Sequence, residues 1–247
     1  MGSALDVAVG QAVTIRGATT AGLRTIIVEA AEVSQLSVVV LHGYAMEPEA
    51  LVPFASSIGV PARFHFLEGP HRAVPKGRAW WPLDAERRAR ALAAGPRELA
   101  SESPEGILDA RATLLAALEA VRADAPLLPL VIVGFSQGGM LALDTVLRAQ
   151  PRVAALALLS SSRILEEEWR PLAPRLAGLP ILVSHGARDE DLAFSAGEKL
   201  RDFCLEAGAH VTWVSFDGGH EIPLVVWRAV RQLLRSVSPA APEPPGP

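Results

Sequence analysis

The chain has 247 residues, half of them hydrophobic, and α/β folds often fill this length as one domain with a sizeable core. Its net charge of -4 and isoelectric point near 5.9 argue against the basic surface that binds nucleic acid. The sole cysteine, Cys204, excludes an internal disulfide, and no apolar run approaches the ~20 residues of a membrane span.

Strand and helix patterns alternate along most of the chain. Short β-branched or alternating runs predict strands over residues 12–16, 24–30, 37–41, 62–67, 130–133, 153–159, 181–184 and 210–216. Apolar residues at helical spacing predict helices over 47–57, 84–94, 105–124, 137–150, 194–207 and 222–237. Two stretches, 69–103 and 163–179, are mostly irregular. The alternation predicts an α/β fold with a mostly parallel sheet and helices on both faces. In such sheets ligands bind beyond the carboxyl ends of the strands.

The first chemical signal is Gly134-Phe135-Ser136-Gln137-Gly138, which joins a predicted buried strand to a predicted helix. This G-x-S-x-G pattern is common by chance, but the strand–turn–helix context is that of a nucleophile elbow. The glycines admit a turn that would clash with larger side chains, and the turn lifts the serine hydroxyl above the sheet. We therefore predict Ser136 as a nucleophile.

A serine hydroxyl needs a base to take its proton. In this fold the partners follow the serine in the order acid, then histidine. His220 fits the base, because it follows the last predicted strand and the turn Asp217-Gly218-Gly219. His185, which ends a strand, and His210, which begins one at the opposite edge of the sheet, are weaker candidates.

The acid should lie in the loop after the strand 181–184, which contains Asp189, Glu190 and Asp191. Asp189 is favoured, and Glu190 and Asp191 are rivals in the same loop. Asp217 is a further rival, although it lies close to His220 in sequence. The oxyanion of an ester hydrolysis needs preorganised N–H donors. The backbone N–H of Gln137 and that of Tyr44, in the loop after strand 37–41, are the candidates.

Several side chains near these motifs have an ordinary structural interpretation. His42 is predicted to pin its loop by side-chain hydrogen bonds. Trp80 and Trp81 either cover the substrate pocket or pack the irregular stretch against the core, and the sequence leaves both alternatives open. Cys204 is predicted to be a small apolar residue of a helix.

Four stretches together resemble the phospholipase/carboxylesterase family of α/β-hydrolases, which includes the acyl-protein thioesterases. They are LHGY at residues 41–44, GFSQGG at 134–139, HGARDE at 185–190 and GGH at 218–220, and GRAWW at 77–81 is also similar. The resemblance spans residues 38–234. It implies the α/β-hydrolase fold, Ser136, Asp189 and His220 as a triad, and Tyr44 and Gln137 as oxyanion donors. It also implies carboxylic esters, lysophospholipids or acyl thioesters as substrates.

This sequence departs from the family pattern in two loops. Ala45 and Met46 stand where members often continue with glycine and a small polar residue, and the loop 191–194 lacks the usual proline. Both departures bear on loop shape.

The sequence as a whole predicts a serine carboxylesterase, with a thioesterase or lysophospholipase as the alternative and an inactive binding module as the remote one. We expect one domain over residues 1–237, followed by a proline-rich, disordered tail over 238–247. We expect no metal or cofactor, because no metal-ligand spacing of histidine and cysteine occurs. The N-terminus lacks a secretory pattern, so we expect a cytoplasmic protein without stable membrane insertion. A small-molecule ester or acyl thioester is the expected partner, and the sequence leaves open whether the chain is a monomer or a homodimer.

Overall fold

The computed structural model describes residues 13–239 of the chain. Ten strands are present in this part: β1 Val13–Thr20, β2 Leu23–Ala30, β3 Leu36–Leu41, β4 Ala62–Leu67, β5 His71–Arg72, β6 Arg78–Ala79, β7 Leu130–Phe135, β8 Ala155–Leu159, β9 Pro180–Gly186 and β10 His210–Phe216. The α-helices are α1 Val52–Ile58, α2 Ala85–Ala93, α3 Ile107–Asp124, α4 Gln137–Ala149, α5 Glu166–Trp169, α6 Phe194–Glu206 and α7 Leu224–Val237.

Eight of these strands form one sheet in the order β1-β2-β4-β3-β7-β8-β9-β10. All pairs from β4 to β10 are parallel, and β1 and β2 are added antiparallel at one edge. The hairpin that joins β1 to β2 turns at Ala21 and Gly22, both with positive φ, as a tight two-residue hairpin requires. The predicted mostly parallel sheet is confirmed.

Helices cover both faces of the sheet, also as predicted. The core on one face contains side chains of α3, α4 and α6. The core on the other face contains side chains of α1 and α7. The central strands β3 and β7 are buried along their whole length, since each lies between two helical layers.

The structure corrects some predicted boundaries. The helix predicted over 47–57 is a short 3-10 turn, Pro48–Ala50, followed by α1, because Pro53 lacks an N–H and suits only the first turn of a new helix. Ala12, the predicted start of β1, lies outside the described residues, and so does the predicted tail from residue 240 onward. The irregular stretch 69–103 contains the hairpin β5–β6 as well as α2.

Two further predictions concern the cysteine and the membrane-spanning potential of the helices. Cys204 is buried in α6, where burial raises the pKa of its thiol to about 12, as expected for an inert apolar position. Within residues 13–239, no helix has both the length and the apolar character needed to cross a membrane.

Candidate active site

Ser136 lies at the sharp turn between β7 and α4. Its backbone angles, φ 51° and ψ -116°, are rare for a residue with a side chain. Neighbouring glycines permit this turn: a Cβ on Gly134 would meet the carbonyl oxygen of Gly138 at 2.5 Å, and a Cβ on Gly138 would meet that of Leu41 at 2.5 Å. The sequence thus folds into the nucleophile elbow that its glycine spacing predicts.

His220 lies beside the elbow, in the loop between β10 and α7. Its Nε2 atom is 2.9 Å from Oγ of Ser136, and its Nδ1 atom is 2.7 Å from Oδ2 of Asp189. Its ring also packs against Phe135, with ring centroids 4.9 Å apart. The three residues predicted as a triad therefore form one continuous chain of hydrogen bonds.

Asp189 is buried and accepts hydrogen bonds at both carboxylate oxygens. Oδ1 accepts from the backbone N–H groups of Asp191 and Leu192, each at 2.9 Å. Burial alone would raise the pKa of Asp189, but the hydrogen bonds from His185, His220 and Leu192 outweigh it and hold that pKa well below its usual range. The carboxyl is therefore ionised throughout the neutral range, as a partner of an imidazolium must be.

The rival acids have other partners. Asp191 pairs with Arg88 and Arg97, and Asp217 is exposed and pairs with Arg188. Glu190 is an exposed residue of the same loop. The rival bases are also elsewhere: His185 is buried behind Asp189, and His210 is exposed at the start of β10, at the far end of the strands.

The loop after β3 packs directly on the elbow. A Cβ on Gly43 would lie 3.2 Å from Cβ of Ser136, so Tyr44 follows a residue that touches Ser136. The backbone N–H of Gln137 lies at the first position of α4, where a helix offers N–H groups without acceptors of its own. Both predicted oxyanion donors thus belong to segments that adjoin Ser136.

His42 fixes this loop, as predicted. Its Nδ1–H donates to the carbonyl of Gly43 at 2.7 Å, and its Nε2 accepts from the N–H of Gly69 at 2.9 Å. Burial lowers the pKa of His42 to about 4, which keeps the ring neutral and able to make both bonds. The same arrangement orients the glycine that lies against Ser136.

Trp80 and Trp81 are buried in the core, with 0% and 2% of their surface exposed. The side chain of Gln137 binds both: its Oε1 accepts from the N–H of Trp80 at 2.9 Å, and its Nε2 donates to the carbonyl of Trp81 at 3.0 Å. The indole N–H of Trp80 donates to the carbonyl of His42 at 2.8 Å. Both tryptophans therefore support the elbow and the loop after β3, and a role in lining the substrate pocket stays a prediction.

The comparison with known proteins decides the family. The sequence profile of the phospholipase/carboxylesterase family matches residues 24–238. The chain belongs to this family. The family model is that of phospholipases and carboxylesterases, and the relatives below include an acyl-protein thioesterase.

Individual relatives are more distant. Acyl-protein thioesterase 1 of Neurospora crassa is 32% identical over 109 residues, which are 42% of this chain and 44% of that protein, so the match spans less than half of the relative. A carboxylesterase from Mesorhizobium loti has the same fold, with a TM-score of 0.71, 23% identity, and coverage of 90% of this chain and 98% of that one. Acyl-protein thioesterase 2 of Zea mays does so too, with a TM-score of 0.71, 17% identity, and coverage of 86% and 98%.

Sequence reasoning missed two features of the site. One is the contact of His185 with Asp189. The other is the pair of arginines on Asp191, which come from the stretch 69–103, where the pattern is too irregular to place side chains. A histidine four residues before the acid is the one signal that could have suggested the first.

Proposed function

We propose that this protein is a serine hydrolase that cleaves carboxylic esters through an acyl-enzyme on Ser136. The observation that carries the proposal is the hydrogen-bond chain from Ser136 Oγ through His220 to Asp189, with lengths of 2.9 and 2.7 Å. The strained backbone of Ser136 supports it, because such strain is typical of elbows that present a nucleophile.

In the proposed first half-reaction, Oγ of Ser136 attacks the ester carbonyl carbon while its proton passes to Nε2 of His220. The N–H groups of Gln137 and Tyr44 hold the carbonyl oxygen as its negative charge develops. The tetrahedral intermediate then collapses, the bond to the alcohol breaks, and the alcohol leaves with the proton from His220. Asp189 stabilises the imidazolium between these steps.

The second half-reaction repeats the same chemistry with water. His220 takes a proton from a water molecule, whose oxygen attacks the acyl-serine carbonyl. Collapse of the second intermediate breaks the bond to Oγ, releases the carboxylic acid and returns the proton to Ser136. The ionised state of Asp189 suits both halves, since each passes through an imidazolium.

A fluorophosphonate probe tests the nucleophile, because it reacts with activated hydroxyls. Labelling should occur at Ser136, and Ser136→Ala should lose labelling together with about 10⁶ of kcat. Ser37→Ala is a matched control, since Ser37 is also buried but its hydroxyl has no partner among the described residues. Labelling of another serine, or turnover by Ser136→Ala close to wild type, would refute the proposal, and an unlabelled wild type would favour an inactive binding module.

A thioesterase is the second candidate, favoured by the 32% identity to a relative named as an acyl-protein thioesterase. The proposed triad serves either leaving group. Oxygen esters and thioesters with the same acyl chain distinguish the two activities: a kcat/KM at least tenfold higher for thioesters would make thioester hydrolysis the main activity. Lysophospholipids extend the same comparison to the third substrate class of the family.

A further inference from the structure

The segment from Trp80 to Arg97 runs beside the proposed active site and carries α2. It starts at the elbow, where the backbone of Trp80 and Trp81 binds the side chain of Gln137. It ends at the acid loop, where the N–H of Arg97 donates to the carbonyl of Asp191 at 3.0 Å. None of the residues of α2 is fully buried. The helix is therefore attached to the rest of the fold mainly through the residues at the two ends of the segment and through side chains that are not fully buried.

Arg88, in the middle of α2, contacts two loops of the site at once. Its guanidinium carbon lies 5.4 Å from the centroid of the Tyr44 ring, and its Nη2 pairs with the carboxylate of Asp191. Tyr44 follows β3 and Asp191 follows β9, whereas β7, which leads to Ser136, lies between those strands. Neighbouring strands are about 4.8 Å apart, so the loops joined by Arg88 belong to strands roughly 14 Å apart.

The fold has little need of Arg88 to hold the acid loop. Asp191 is already neutralised by Arg97, whose N–H also binds the Asp191 carbonyl. Arg88 adds a second positive charge, and among the described residues its buried Nε–H has no acceptor. A buried donor without an acceptor is destabilising, so this position is not one that stability alone favours. The contact that distinguishes Arg88 from Arg97 is the one with Tyr44.

The part of a substrate that faces Arg88 follows from how the ester must be oriented at His220. The leaving oxygen must lie within reach of Nε2 of His220, whose ring packs on Phe135 and so on the core of α1 and α7. In the proposed reaction the acyl chain lies on the other side of the carbonyl carbon from the leaving oxygen, and therefore away from Nε2 of His220. Arg88 contacts the loops after β3 and β9, and β7, which leads to Ser136, lies between those strands. Ser136 itself is only 8% exposed.

We propose that Arg88 is a specificity-determining residue that limits the length of the acyl chain by joining Tyr44 to Asp191 across the acyl side of the cleft. The inference rests on the proposed function. Short acyl chains fit beneath the guanidinium, whereas long chains must displace it. Displacement breaks a partly buried ion pair and a cation–π contact, so long chains are disfavoured without being excluded.

The test compares Arg88→Ala and Arg88→Met with Arg90→Ala. Arg90 is the matched control, because it lies on the same helix, its side chain is 71% exposed, and its ion pair within residues 13–239 is with Glu86 at 3.5 Å. Arg88→Met keeps the aliphatic stem, so it provides a folded variant should Arg88→Ala be unstable, and Arg97 still holds Asp191 in both. The measurement is kcat/KM for p-nitrophenyl acetate, butyrate, octanoate and dodecanoate.

In both Arg88 variants, kcat/KM for octanoate divided by kcat/KM for acetate should rise about tenfold, mainly through a lower KM for octanoate. Arg90→Ala should leave this ratio within twofold of wild type. A structural role alone would change both esters together. A ratio within twofold of wild type in both Arg88 variants, with Ser136 still labelled, overturns this inference and leaves the proposed function standing. If Ser136→Ala keeps both its labelling and its turnover, the proposed function is wrong, and the Arg88 inference is wrong with it.

Discussion

His185 and His220 bind the same oxygen of Asp189: Nε2 of His185 lies 3.3 Å from Oδ2, which also accepts from Nδ1 of His220. The Nε2 of His185 is also 3.1 Å from the carbonyl of Leu192, so this nitrogen carries the proton and donates to both oxygens. Its Nδ1 has no partner among the described residues. His185 therefore contacts the carboxylate from the buried side, while His220 contacts it from the side of the serine.

The acid assignment follows from this geometry and is tested by three amide variants. Asp189→Asn should lose about 10³–10⁴ of kcat, because the imidazole of His220 loses its orientation and the charge that stabilises its protonated form. Asp217→Asn should change kcat by less than threefold, since Asp217 is an exposed partner of Arg188. Asp191→Asn should lower kcat less than tenfold, because Asp191 binds arginines rather than His220. Near-normal turnover in Asp189→Asn, with a collapse in either other variant, would move the acid to that residue.

His65 predicts a specific loss of stability in mild acid. The ring is buried in β4, and neither of its nitrogens has a partner within residues 13–239. Burial lowers the pKa of His65 from 6.5 to about 4 in the folded state. In the unfolded chain His65 binds a proton below about pH 6.5, whereas in the folded chain it binds one only below about pH 4. Stability is therefore fully present above pH 6.5, falls between pH 6.5 and pH 4, and changes no further below that.

Replacing His65 should remove this part of the pH dependence. Between pH 7 and pH 5 the linkage amounts to about 2 kcal/mol, so the free energy of unfolding of His65→Leu should fall less than that of wild type by about this amount. Urea denaturation at the two pH values measures it. His210→Leu is the control, because His210 is exposed at the start of β10. Equal losses in wild type and His65→Leu would contradict the assignment.

The fold and the three residues of the hydrogen-bond chain could be predicted because the signals are local. A β-branched run such as residues 37–41 suits only a strand between two helical layers, and glycines around Ser136 suit only a tight turn. The partners of Asp191 could not be predicted, since an arginine in an irregular stretch has no periodicity that fixes its direction. The observed helix boundaries differ from the predicted ones where a proline starts a new helix, as at Pro53. The assignment of Asp189 over Asp191 rested on the short loop that follows the strand end and on the family resemblance, and the structure adds that the nearby arginines pair with Asp191.

The sequence beyond residue 239 is predicted to be dispensable. Four of its eight residues are proline and none is a large apolar residue, a composition that predicts little buried surface to offset the entropy of ordering. A chain that ends at Pro239 should keep its melting temperature within about 2 °C and its kcat/KM within twofold. Thermal denaturation and ester hydrolysis measure both. A larger change in either would show that the tail packs or binds.

Gly186 should be essential for activity because the acid loop and the histidine loop touch there. A Cβ on Gly186 would lie 2.2 Å from the carbonyl oxygen of Gly219 and 2.5 Å from that of Gly218, both backbone atoms that cannot rotate away. The loops are also joined by the N–H of Arg188, which donates to the carbonyl of Gly218 at 2.9 Å. Gly186→Ala must therefore push His220, the next residue along, away from Ser136 and Asp189.

A displacement of about 1 Å at the base is expected to lower kcat about 10²-fold while leaving KM nearly unchanged. The matched control is Gly17→Ala in β1, where an added Cβ meets nothing within 4 Å. Fluorophosphonate labelling gives an independent readout, since a serine without its base should label more slowly in Gly186→Ala than in Gly17→Ala. Wild-type turnover in a folded Gly186→Ala protein would mean that the two loops can separate without disturbing His220, and the tight coupling described here would be wrong.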